Sequence, residues 1–161
     1  MKPSDLSKKM EAAQAQAVKA VQDQMKTEVE QLAKDVRTRT RMGSGVDASG
    51  NKSKLKSLSP AYIKQRESLK AKGKLSNVTT PKKSGLTKSG SMLDSLKGTA
   101  KGSSFKVEVT GSDDEGNKNS DKALWNAENG REFMNLSNEE RTRTVQKLRQ
   151  KFVTSFKKAL K

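Results

Sequence analysis

Asp113, Asp114 and Glu115, set between Gly111 and Gly116, form the densest carboxylate run in the chain. Three carboxylates in a glycine-bounded stretch raise the question of a calcium loop. Such a loop needs acidic or amide ligands at positions 1, 3 and 5 and a glycine at position 6. Placing Gly116 at position 6 puts Gly111 at position 1, so the register fails and the stretch reads as a turn. Cysteine and histidine are both absent. That removes disulfides, thiolate chemistry, histidine triads and the usual zinc, copper and haem ligands. A phosphate-cradling loop ends in Gly-Lys-Ser/Thr at fixed spacing, and neither Lys83-Ser84-Gly85 nor Lys97-Gly98-Thr99 meets it. Carboxylates and lysines can move protons in principle. Here they fall in turns and on helix surfaces, with no apolar stretch around them. No catalytic residue, metal ligand or cofactor is therefore expected, and the chain is not read as an enzyme.

What stands out instead is charge. The 161 residues carry 34 Lys and Arg against 18 Asp and Glu, a formal net charge of +16. The excess is uneven. Residues 44–104 hold 13 basic and 3 acidic groups, whereas residues 105–130 hold 3 basic and 6 acidic. A basic field of this size either draws polyanions by counterion release or serves only as a solvated, self-repelling surface. The sequence leaves both open. Apolar residues make up 30% of the chain and aromatics 4%, so the core must be modest, which suggests stability shared with partner subunits. No apolar run reaches bilayer length, and the basic start MKPSDLSKK leads into an Ala/Gln-rich amphipathic pattern unlike a signal peptide. The expectation is a soluble protein of a reducing cytoplasm with no membrane partner.

The elements that must carry this surface follow from periodicity. Leu6, Met10, Ala17, Val21, Met25, Val29, Leu32 and Val36 recur at three-or-four spacing almost without a break, predicting one helix over residues 4–42, on the order of 50 Å at about 1.5 Å per residue. Its first half should project as an arm or pack on other copies. A dedicated coiled coil is the alternative, weakened by alanine at core positions. Residues 43–51 read as a loop. Ser59 and Pro60 start a second helix ending near Gly73, with Tyr62 and Ile63 as its core. Residues 74–90 form a long, basic, mobile loop. A short helix from Ser91 closes at Gly98, and Phe105–Val109 alternates as a strand. Ala123–Ala127 is a short apolar piece in which Trp125 reads as core rather than interface. Phe133, Met134 and Leu136 suit a strand end. Ser137 and Glu140 have capping-box spacing, so a final helix starts there. Val145, Leu148, Phe152, Phe156 and Leu160 give that helix an apolar stripe, expected to lie on a small sheet. The fold class expected is α+β: a small antiparallel sheet packed by a long N-terminal helix (residues 1–43) and, within residues 44–161, a C-terminal helix.

Three segments stand in an informative order: Ser59-Pro60-Ala61-Tyr62 with Lys64, then Leu86 to Leu96, then Arg131-Glu132-Phe133-Met134-Asn135-Leu136-Ser137 ahead of the final helix. This order resembles the neck and tail-completion proteins of tailed bacteriophages, the group that includes virion-morphogenesis and minor tail proteins. The resemblance covers roughly residues 57–161. Trp125 to Gly130 stands where the family has a His–aromatic–Gly segment, Glu132 replaces a proline and Asn135 replaces a glycine. The resemblance implies an α+β virion subunit without an active site. It would assemble in the host cytoplasm into a homo-oligomeric, six-fold ring at the head–tail junction. Portal or head-closure and tail-terminator or tail-tube proteins would be its neighbours, with packaged DNA in the channel. On this reading Lys72, Lys74, Lys82, Lys83 and Lys88 contact DNA or an acidic partner face, and Trp125, Phe133 and Met134 serve as interface or core anchors. The competing reading is a sequence-nonspecific basic nucleic-acid-binding protein. Against it, the chain lacks a helix-turn-helix cue, a zinc pattern and aromatic-rich strands.

Overall fold

A computed structural model describes residues 3–74, 91–102 and 104–161. Its elements in chain order are α1 (Pro3–Arg41), β1 (Ser44–Val46), β2 (Lys52–Lys54), α2 (Pro60–Ala71), α3 (Ser91–Asp94), β3 (Leu96–Lys101), β4 (Ser104–Val109), α4 (Asn119–Glu128) and α5 (Asn138–Leu160). The class is α+β, and among the described residues the strands form two separate antiparallel hairpins, β1–β2 and β3–β4, in place of one small sheet.

The periodic residues of α1 do turn one face inward: Ala17, Met25, Val29, Leu32 and Val36 are all buried. What covers them differs from the expectation. α5 lies along α1 rather than on a sheet, and three ion pairs fix the two helices as antiparallel. Arg39 Nε meets Glu140 Oε1 at 3.1 Å, Arg143 pairs with Asp35, and Lys147 Nζ meets Glu28 Oε2 at 2.9 Å. Ala13 and Ala17 are only 1% and 0% exposed, so α1 is covered far toward its start. The projecting arm shrinks to the first turns, where Leu6 and Met10 are half exposed. Alanines on α1 let a second helix approach closely, which a twisted two-stranded ribbon could not follow over such a length. The stripe of α5 is also rotated from the one read in the sequence. Thr144 is buried and Val145 is 59% exposed. Phe152 and Phe156 remain half-buried and stack with ring centroids 5.9 Å apart.

The β3–β4 ribbon also packs on α1. It runs in register from Leu96 opposite Val109 to Lys101 opposite Ser104. Gly98 therefore lies inside a strand and does not close α3. The role of cap falls to Arg37, whose guanidinium donates to the carbonyls of Leu93 and Asp94 at 2.9 and 3.2 Å, groups the end of α3 leaves orphaned, and to the carbonyl of Leu96 in β3 at 3.1 Å. Glycine is needed at 98 for another reason. A Cβ there would sit 2.2 Å from the carbonyl oxygen of Val29, because the ribbon rests on the backbone of α1.

Residues 43–51, read as a loop, contain β1 and the turn into β2. Gly50 takes a φ of +82° to make that turn. β1 is anchored from the far end of the chain, where Val46 N–H donates to the Glu132 carbonyl at 3.2 Å. Asn135 Nδ2 donates back to the Val46 carbonyl at 3.2 Å. The run Phe133 to Leu136 is thus held beside β1 without becoming a strand. Phe133 is 1% exposed and joins Val36, Leu55, Met92, Leu93, Leu96 and Ala123 in the core; Met134 and Leu136 pack against this cluster.

Candidate functional site

A cleft of roughly 1060 Å³ opens between α2, the turn that precedes α4, and α4 itself. α2 begins as its sequence dictates. Ser59 Oγ accepts the Tyr62 N–H at 3.3 Å, and Pro60 opens the first turn. Tyr62 and Ile63 are not its core, since Tyr62 is exposed and Ile63 is half-buried. Arg66 is the buried residue of this helix, and its guanidinium stands over the Tyr62 ring at 5.9 Å. Burial pushes the Arg66 guanidinium below its ordinary value, against a smaller opposing effect of Tyr62.

The opposite wall starts at the acidic turn. Ser112 and Lys118 bridge its ends, and Asp113 organises it from within. Asp113 Oδ1 accepts the N–H groups of Glu115 and Asn117 at 3.0 and 2.8 Å, while Oδ2 pairs with the Lys122 ammonium. The Lys122 hydrogen bond, with help from Asn117, holds the Asp113 carboxyl at about 2, well below the usual carboxylate range. Among the described residues, no three carboxylates converge as a cation would require. The next element, α4, puts Trp125 on the cleft at 57% exposure, so this residue is not core. Arg131 closes the rim, its Nε donating to the Lys56 carbonyl at 3.4 Å.

Of the lysines singled out by sequence, Lys72 and Lys74 are exposed just after α2 and do not line the cleft. Lys82, Lys83 and Lys88 lie outside the described residues. The cleft instead draws its cations from Lys56, Arg66, Lys118, Lys122 and Arg131. Arg66 could have been found from its i,i+4 spacing to Tyr62. Nothing local in the sequence marks Lys122 or Arg131, whose partners come from other elements. Phe133 and Met134 serve the core. Two exposed aromatic residues flanked by both signs of charge have the composition of an interface anchor. The sequence matches no protein-family model, and neither a curated protein nor a solved structure is significantly similar to it.

Proposed function

We propose that this chain is a structural subunit of the neck of a tailed bacteriophage, joining head to tail or completing the tail as a member of a homo-oligomeric ring around the DNA channel. The observation that carries this reading is the placement of large apolar side chains. Leu124, Trp125, Val145 and Val153 are 62%, 57%, 59% and 41% exposed on helices whose inner faces are already packed. A chain with a small core and apolar residues outside it gains stability when copies cover one another. The order of segments leading into α5 supports the same assignment through the resemblance it carries. The surface charge suits a channel occupied by DNA, or acidic faces on rings above and below.

The test is to combine the purified protein with portal and tail-tube proteins, follow mass, and image intact particles. Ring-sized complexes and density at the head–tail junction are expected. A monomer that ignores both partners, with no density at that junction, overturns the proposal. One observation favours a second reading: Arg141, Arg149, Lys151, Lys157 and Lys158 are all exposed on α5. If nucleic-acid binding is the primary function, affinity for any duplex should fall about 10³-fold or more between roughly 50 and 200 mM salt.

A further inference from the structure

We infer that the outer face of α4 docks on the outer stripe of α5 in a second copy of the chain, head to tail. This deepens the ring reading above and rests on it. On α4, Asp121, Leu124, Trp125 and Glu128 recur at positions 0, 3, 4 and 7, which sets them on one face. All four are exposed, so two carboxylates flank two large apolar side chains. On α5, Arg141, Val145, Arg149 and Val153 recur every four residues, and all four are exposed. Cations here alternate with β-branched apolar side chains. The inner side of α5 is committed to α1, while α4 packs on α3 and β4. Each helix therefore leaves its second face uncovered, and on α4 two residues of that face, Asp121 and Trp125, also form the wall of the open cleft beside α2.

Charge selects the occupant. In a chain of net charge +16, two copies approaching at random repel. Residues 105–130 are the acidic exception, and α4 lies within them. Seating the α5 stripe of one copy on the α4 face of the next turns that repulsion into attraction and buries Trp125 and Leu124 against Val145 and Val153. Because the two faces differ, the contact is heterologous, and repeating it closes a ring or extends a filament.

A charge-reversal pair tests this. One variant carries Asp121→Lys with Glu128→Lys, the other Arg141→Glu with Arg149→Glu. Every site is exposed, so both chains should fold. Mass is followed by light scattering at about 0.15 M salt, where charges remain felt over roughly 8 Å. The wild type is expected to be multimeric. Each variant alone, now repulsive at both faces, should have the mass of a single chain. Mixed one to one, the variants should regain the wild-type mass, because each supplies the face that the other needs. If either variant alone keeps the wild-type mass, or the mixture stays monomeric, the α4–α5 docking is overturned. A wild-type multimer in those cases leaves the neck proposal standing. A wild-type monomer at submillimolar concentration overturns the docking, and so does a wild type that multimerises only on added DNA. The neck proposal is then judged on particle imaging.

Discussion

Glu140 serves two partners at once. One oxygen accepts the Ser137 N–H at 2.7 Å, completing the capping box, and the other meets Arg39 Nε at 3.1 Å. Both side chains of the ion pair are largely shielded from water, so removing one strands the other. Glu140→Ala should cost about 3–5 kcal/mol, the range for breaking a buried pair, measured by urea unfolding. Glu140→Gln keeps an acceptor for the cap and should cost less. One turn on, the buried Thr144 hydroxyl has no hydrogen-bond partner among the described residues. Thr144→Val should therefore be neutral, or stabilising by up to about 1 kcal/mol, in the same assay. At Gly98 the added methyl of an alanine would collide with the Val29 carbonyl, and a loss of about 1–3 kcal/mol is expected. The spacing of Ser137 and Glu140 was readable in the chain, because a capping box is local. The Arg39 partner, 101 residues away, left no trace.

At the level of elements, what is local was legible. The long helix, the Ser59–Pro60 helix start, the Phe105–Val109 strand and the final helix all rest on spacing within one segment. β3 was not legible, since LKGTAK has one β-branched residue and a glycine that imitates a helix stop. It is a strand because β4 pairs with it and α1 supports it. Nor could periodicity say which surface the α5 stripe meets, or that Trp125 faces outward, because an apolar stripe specifies burial and not a partner. The acidic turn offers a test at this scale. The Asp113 carboxyl is held at about 2 against an ordinary value of 3.8, so the stability it contributes is complete above the ordinary value. That contribution is lost as pH falls through about 2. Unfolding midpoints taken from pH 5 down to 2 should decline in the wild type. In Asp113→Asn they should start lower at neutral pH and decline less across that window.

For the molecule as a whole, α1 is the element on which α5, the β3–β4 ribbon and β1 pack, and it is itself unequally held. Val29, whose carbonyl Gly98 of the ribbon rests on, and Val36 are 1% and 0% exposed, while Leu6 is 50% exposed. Amide hydrogen exchange should map this as a gradient along a single uninterrupted helix. Protons near Val29 should be released only when the entire fold opens, and those of Ser4 to Met10 should leave early by fraying. The seam with α5 thus makes α1 a ruler: the residue at which protection sets in marks how far the neighbouring helix reaches. If copies associate through the first turns of α1, that mark will move toward Ser4.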